Sequence, residues 1–223
     1  MSINLHSINA DIVDGENSAV ELDCIYSIKG HNLVDSIEQI KQVHQPDFCL
    51  LPLSSVSGGG GIFQVEKPVG KQVIGIQLST SNSPQVNQSS HVDITKVGLD
   101  EIIIDPQQHK IYAGSAITLA QLNQVLGNEQ GNQFKVLGAD LTSYTYAQVG
   151  ATFMTGGMGP QRRYFSDSVI EVSLHNGDNL IRIDGDKLNN YAGTYGWTGI
   201  VSAVCCAYVE LPAVEIAFAI PVN

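Results

Sequence analysis

Basic residues are scarce in this chain. Its 223 residues include 11 lysines and arginines against 22 aspartates and glutamates, so the formal net charge is −11. A chain so short of cations is poorly suited to nucleic acid or to an anionic membrane surface, because phosphate contacts require clustered lysine and arginine. The composition therefore argues against both kinds of partner.

Long apolar runs, leader patterns and paired metal ligands are also missing. No apolar stretch approaches the roughly 20 residues that a membrane helix needs, and the N-terminus lacks the basic and apolar regions of a signal peptide. The six histidines show no ligand-type spacing, so we expect no metal site. Cys24, Cys49, Cys205 and Cys206 form no Cys-x-x-Cys pair. This pattern favours buried thiols in a reducing, cytoplasmic compartment over a disulfide framework.

Signatures of common catalytic sites are absent. The chain has no Gly-x-Ser-x-Gly and no His-Glu-x-x-His. Residues 58–61 are four glycines without a following Gly-Lys-Ser/Thr, which favours a flexible loop over a phosphate cradle. The glycine-spaced segment 193–199 precedes a strand-like run, which argues against a Rossmann turn. We identify no catalytic base and interpret Tyr164, Tyr195 and His175 as structural residues.

The chain does contain a mixed order of strands and helices. Apolar residues at helical spacing and strand-like runs bounded by turn residues mark the elements, and Thr118 is the expected cap of one helix. The acid-rich segment 11–24 suggests a solvated face or a flexible lead-in. Predicted helices cover residues 32–45, 118–127 and 186–191. Predicted strands cover residues 48–53, 71–78, 91–94, 101–105, 110–113, 134–137, 168–175, 180–183 and 200–211. This order predicts an α+β fold rather than a doubly wound sheet.

Small residues are concentrated in three loops at strand ends, residues 79–83, 138–159 and 193–199. Loops of this kind expose successive backbone N–H groups, and a concave nest of them can bind a diphosphate without lysine. That mode of binding suits an acidic chain. The alternative, that all three loops are ordinary turns of an α+β domain, stays open on composition alone.

Three motifs in a fixed order carry a family resemblance. The first lies in residues 91–122 and consists of HVDITK followed by AGSAITLAQL. The second lies in residues 150–169 and consists of the short sequences GAT, TG, GPQR and DSV. The third is GTYGWTGI in residues 193–200. They resemble the FAD-binding domain of the p-cresol methylhydroxylase and vanillyl-alcohol oxidase superfamily of FAD-linked oxidases, with the glycolate oxidase FAD-binding subunit type as the nearest likeness. The resemblance covers roughly residues 47–212. It implies a two-lobed α+β fold with FAD between the lobes. The implied divisions are a lead-in and helix at 1–46, lobes at 47–96 and 97–212, and a tail at 213–223.

The resemblance also implies which residues hold FAD. The pyrophosphate loop corresponds to Ser79, Thr80, Ser81, Asn82 and Ser83. The residues that line the pyrophosphate and isoalloxazine are Gly138, Ala139, Asp140, Gly150, Ala151, Thr152 and Thr155, and the cofactor-binding set further includes Gly156 and Gly159. The adenosine part meets Gly199 and Ile200 through main chain. Arg162 has a family match, with a surface salt-bridge or packing role as its alternative.

The implied function is that of an FAD-binding domain or subunit of a flavin-dependent oxidoreductase. The reaction would be hydride transfer to the flavin from a small substrate such as a 2-hydroxy acid. Family enzymes carry a substrate-binding cap after the FAD domain, and none follows in this sequence. The resemblance thus leaves three readings open: a fragment, a subunit that needs a partner such as a larger flavin subunit or an iron–sulfur subunit, or a degenerate flavin domain.

The pyrophosphate loop departs from the family. Where the family has an Arg-Gly-Gly-Gly-Thr-Ser type sequence, residues 77–83 read QLSTSNS, with no glycine and no arginine. This departure motivates a second hypothesis, a degenerate and non-catalytic relative that serves as an assembly or scaffold protein without FAD. A generic α+β binding domain unrelated to flavins is the third.

Overall fold

The chain has a mixed order of strands and helices, as the sequence predicts. The computed structural model describes residues 4–6, 10–13, 19–29, 33–44, 48–53, 70–79, 83–141, 143–159, 163–196 and 198–211. The α-helices are α1 (Leu33–Val43), α2 (Leu119–Gln130) and α3 (Val149–Thr155). The strands are β1 (Asn4–His6), β2 (Ala10–Val13), β3 (Ala19–Leu22), β4 (Cys24–Lys29), β5 (Phe48–Leu53), β6 (Gln72–Ser79), β7 (Gln85–Gln88), β8 (Glu101–Asp105), β9 (Lys110–Gly114), β10 (Phe134–Lys135), β11 (Val169–His175), β12 (Leu180–Asp184), β13 (Ile200–Ala207) and β14 (Val209–Glu210). No helix among the described residues is long and apolar enough to cross a bilayer.

A four-stranded sheet is built from the first part of the chain, in the order β1-β4-β6-β5. β4, β6 and β5 are parallel, and β1 is antiparallel at one edge. Parallel neighbours need a crossover, and α1 lies between β4 and β5 in the chain. Its buried residues Leu33, Ile37 and Ile40 belong to the same apolar cluster as Ile74 and Ile76 of β6. The helix predicted from this spacing is confirmed, whereas its predicted cap Asn32 lies outside the described residues.

A six-stranded sheet follows, in the order β12-β11-β13-β9-β8-β7. All its pairs are antiparallel except β7 with β8. Residues of α2 and α3, including Leu122 and Phe153, pack with the sheet in the largest apolar cluster. Thr118 caps α2 as predicted, in a reciprocal capping box with Gln121. These contacts fix α2 and α3 against the sheet.

Several element predictions are wrong for local reasons. Residues 91–94 are not a strand, because Asp93 accepts the Thr95 N–H at 3.1 Å and starts a 3-10 helix at Ile94–Lys96. Gly127 does not end α2, which continues to Gln130 and stops at Gly131. The acid-rich segment 11–24 is described only in part: residues 10–13 and 19–22 form β2 and β3, and Cys24 begins β4.

Several elements are not predicted from the sequence, among them β1 to β4, since no strand is predicted before residue 48. β7 lies in a segment whose composition indicates only a connection, yet it pairs with β8. α3 has a glycine and three β-branched residues among its seven, a composition that disfavours a helix. The two-lobed arrangement and the lobe boundaries remain predictions.

Candidate functional site

The structure brings the end of β6, where the first small-residue loop begins, and segment 193–199 together at α3, which lies within the second loop. At the start of this helix, Gln148 Nε2 donates to the Leu78 carbonyl at 2.8 Å, one residue before Ser79. At its end, the Gly193 and Tyr195 N–H groups donate to the carbonyls of Phe153 (3.2 Å) and Met154 (2.7 Å). A short helix therefore joins the end of β6 to segment 193–199.

Gln148 is the residue that fixes this junction. It is buried, with 8% of its surface exposed, and it stands at the N-cap of α3 without making a side-chain cap hydrogen bond. Its amide instead reaches a carbonyl 70 residues away in the chain. Nothing in the sequence around Gln148 indicates this distant partner.

The loop after β6 is described only at its two ends. Ser79 lies opposite Lys29 of β4, and its Oγ is 3.2 Å from the Oγ of Ser27. Ser83 is exposed. Thr80, Ser81 and Asn82 lie outside the described residues. The Ser79 hydroxyl is thus already engaged within the chain.

The side chains of α3 divide into a buried and a half-exposed face. Ala151 and Thr155, four residues apart, are half-exposed. Gly150 is buried, and a Cβ built on it would lie 2.5 Å from the Cβ of Ser115. The hydroxyls of Thr152 and Thr155 donate to the carbonyls four residues earlier, at 2.7 and 2.9 Å. The half-exposed face therefore offers an outside molecule few unengaged polar groups.

Most predicted cofactor glycines pack against this chain itself. A Cβ on Gly138 would lie 2.8 Å from the Tyr164 carbonyl oxygen, on Gly159 it would lie 2.7 Å from an Asp140 carboxylate oxygen, and on Gly199 it would lie 2.5 Å from the His175 carbonyl oxygen. Gly138 and Gly199 are thus required by backbone contacts inside the fold, whereas the Asp140 side chain beside Gly159 can move.

Bare backbone remains at two glycines near the end of α3. Gly156 ends the helix with φ +67°, and a Cβ there would meet only the Cα of Gly193, at 3.6 Å. Gly193 has φ +71°, and a Cβ built on it would meet no atom within 4 Å. A ligand can approach the main chain at these two residues. Gly193 is not among the predicted site residues, although it opens one of the three motifs that carry the family resemblance.

The remaining predicted residues lie in the core, in an ion pair or in the wall of a cavity. Ala139 is fully buried in the apolar cluster of the six-stranded sheet. The Asp140 carboxylate is paired with Lys135 Nζ at 3.0 Å, with both side chains partly exposed. Gly199 and Ile200 line a separate cavity of about 630 Å³. Arg162 lies outside the described residues.

The cysteines are all free thiols. Cys24, Cys205 and Cys206 are buried and Cys49 is half-buried, so the prediction of buried thiols is confirmed for three of them. Burial is the largest cause that raises the pKa of Cys205 to about 12 and that of Cys206 well above its usual value. Among the described residues, no group of three or more His, Cys, Asp or Glu side chains could hold a metal ion.

Comparison with known proteins supports the fold. No family model and no curated protein matches the chain by sequence. Two structures of alkyldihydroxyacetonephosphate synthase, in crystal forms P212121 and P1, match it at 14% identity with TM-scores of 0.62 and 0.61. The matches cover 87% and 89% of this chain but only 33% and 34% of those chains. The chain thus spans about a third of the structures it matches. The likeness shows that the chain shares the fold of the matched third of those structures.

Proposed function

We propose that this chain is an FAD-binding domain or subunit of a flavin-dependent oxidoreductase. The observation that carries the proposal is the convergence at α3 of the β6 end and segment 193–199. The likeness to the FAD-binding portion of the alkyldihydroxyacetonephosphate synthase structures supports it. Bound FAD would supply the acceptor for a hydride from substrate.

The residues of the junction fit a cofactor held mainly by main chain. Gly156 and Gly193 leave room for a ligand to approach the main chain closely. Ala151 and Thr155 are small, half-exposed residues of α3. The loop from Ser79 to Ser83 would hold the pyrophosphate through backbone N–H groups, which need no lysine. This mode of binding is compatible with a net charge of −11.

Substrate recognition in this proposal is shared with a partner. The chain corresponds to about a third of the matched structures, and we identify no catalytic base in it. A larger flavin subunit or an iron–sulfur subunit would complete the enzyme, as in a glycolate oxidase-like assembly. The substrate class is a small 2-hydroxy acid or a similar molecule, and the compartment is the cytoplasm.

The test is uptake of FAD by the purified protein. We expect the visible absorbance of oxidised flavin, either as purified or after addition of FAD. Absence of uptake at saturating FAD by a protein that is folded by circular dichroism would refute the proposal.

A matched pair of variants locates the site. Gly193→Asn places a side chain at the bare backbone, and asparagine tolerates the positive φ. Gly185→Asn is the control, because Gly185 also has a positive φ (+56°) and open space but lies in a different turn. We expect uptake to be lost in Gly193→Asn and kept in Gly185→Asn. Equal uptake by both would place FAD elsewhere.

A non-catalytic assembly protein of the same fold is the second candidate. The Thr152 hydroxyl and the space at Gly138 and Gly159 are used within the chain, which is the packing expected of a domain that has lost its ligand. This candidate predicts a colourless, folded protein that co-purifies with another subunit. Recovery of monomer alone from its native host would count against it.

A further inference from the structure

A cavity of about 630 Å³ lies on the side of the four-stranded sheet formed by β5 and the end of α1. Its wall includes Lys41 of α1, Phe48 and Leu50 of β5, His175 and Asp178 at the β11–β12 turn, and Ile200 of β13. The volume falls in the range of small-molecule sites, about 300–1,000 Å³. The wall combines apolar side chains with a few polar ones.

One polar group in this wall has no partner. His175 is 1% exposed, and its Nδ1 accepts the Gly177 N–H at 3.2 Å. The neutral ring therefore carries its proton on Nε2, and this atom has no hydrogen-bond partner among the described residues. A buried donor left unsatisfied costs free energy, so an acceptor from outside the chain would stabilise it.

The other histidine of the wall is engaged on both sides. His44 Nε2 lies 2.7 Å from the Tyr26 hydroxyl and Nδ1 lies 3.0 Å from Gln72 Oε1. A neutral ring that donates through Nδ1 and accepts at Nε2 satisfies both contacts. Recognition of a ligand thus falls to His175 and not to His44.

The charges around His175 indicate the kind of acceptor. Lys41 Nζ is paired with Glu38 Oε1 at 2.8 Å, and Lys41, Glu38 and Asp178 all act on the imidazole electrostatically. Burial is the main cause that lowers the pKa of His175, followed by the charge of Lys41. Two carboxylates beside one ammonium disfavour a doubly charged phosphate. A singly charged carboxylate can accept from both donors.

We propose that this cavity binds a small organic carboxylate with an aromatic or apolar body. The carboxylate accepts hydrogen bonds from His175 Nε2 and Lys41 Nζ, and the body packs on Phe48, Leu50 and Ile200. Because the Nε2 atom lies beneath the cavity surface, a small movement of the wall accompanies binding.

The site is separate from the proposed pyrophosphate loop. Phe48 and Leu50 pair with Gln72 and Ile74 of β6, whereas the loop begins at Ser79. At a rise of about 3.3 Å per residue, these positions lie roughly 16–23 Å apart along the strand. The wall also includes Gly199 and Ile200, where the resemblance places the adenosine part of FAD, so the carboxylate and FAD would compete for this part of the cavity.

Benzoate is the probe, and benzamide is its uncharged control. We expect saturable benzoate-induced shifts of the His175 ring signals in histidine nitrogen–proton correlation spectra, and far weaker binding of benzamide. His175→Phe should weaken benzoate binding roughly tenfold or more, since a hydrogen bond to a charged group is lost. The same substitution at the exposed His91 is the matched control and should leave affinity unchanged.

Folding of the variant is checked by its thermal midpoint. His175→Phe removes an unsatisfied donor but also the acceptor of the Gly177 N–H, so we expect its midpoint to lie close to that of the wild type. If it does not fold, Lys41→Met tests the same site and should weaken binding severalfold. Unchanged affinity in the folded variants, or equal binding of benzamide, would overturn the proposal.

Discussion

Gly150 gives the sharpest test of how α3 is packed. It is the second residue of the helix, and a Cβ built on it would lie 2.5 Å from the Cβ of Ser115 and 3.3 Å from its Cα. Both neighbouring atoms are held by the fold, because the Ser115 N–H donates to Ser202 and its carbonyl accepts the Gly150 N–H. The clash in Gly150→Ala therefore cannot be relieved by a side-chain rotation.

Two effects oppose each other in Gly150→Ala. Alanine in place of a helical glycine gains about 0.5–1 kcal/mol, whereas overpacking of a tight core costs about 1–3 kcal/mol. We expect a net loss of up to about 2 kcal/mol in the free energy of unfolding. Ser115→Gly removes the clashing atom, so in that background Gly150→Ala should stabilise the protein.

The assay is a double-mutant cycle by urea unfolding. The coupling energy between the two sites should be about 1–3 kcal/mol. Gly127→Ala in α2 is the control, because its new Cβ would meet only the Asn132 side chain, with the oxygen at 2.8 Å, and that side chain can move. If Gly150→Ala alone is more stable than the wild type, the packing argument is wrong.

Three further predictions concern other parts of the structure. Gln148→Leu removes the donor to the Leu78 carbonyl and should cost about 1–3 kcal/mol in urea unfolding, whereas Gln124→Leu on the exposed face of α2 should be near neutral; equal effects would contradict the linking role. The pKa of His175 is lowered in the folded protein, so below about pH 6.5, the usual histidine pKa, the unfolded chain binds more protons than the folded one. The free energy of unfolding should therefore decrease as the pH falls below that value, by at most about 1.4 kcal/mol per pH unit. His175→Phe should abolish that dependence, and an unchanged slope would show that the imidazole is not its source. A thiol reagent should modify Cys49 before the three buried cysteines, whose pKa values are raised by burial, and one common rate would refute this.

The long periodic elements could be predicted from the sequence. Leu33, Ile37 and Ile40 follow the helical repeat and are buried together, and the Thr118 cap with Gln121 three residues on needs only local chemistry. α3 could not be predicted in this way. Its glycine and β-branched residues disfavour a helix, and packing of Val149 and Phe153 in the core stabilises it.

The candidate site, too, could be predicted only in part from the sequence. Glycines and small residues in three segments are visible in the sequence, and they correctly indicate close approach of backbone. At most of these glycines the neighbour belongs to this chain. Ser115 lies against Gly150, and the His175 carbonyl lies against Gly199. A glycine in a sequence shows that space is needed but not what fills it, because the neighbour comes from a distant part of the chain.

By itself, the sequence determined the acidic surface chemistry, the helices with regular apolar spacing, the principal strands and the order of motifs that resembles a flavin domain. Only the tertiary structure decided which loops meet, through hydrogen bonds such as that from Gln148 to Leu78 across 70 residues. It also decided that His175 is buried with an unpartnered nitrogen beside a cavity. Periodicity and capping act over a few residues and can be read locally, whereas burial and pairing depend on neighbours that only the folded chain brings together.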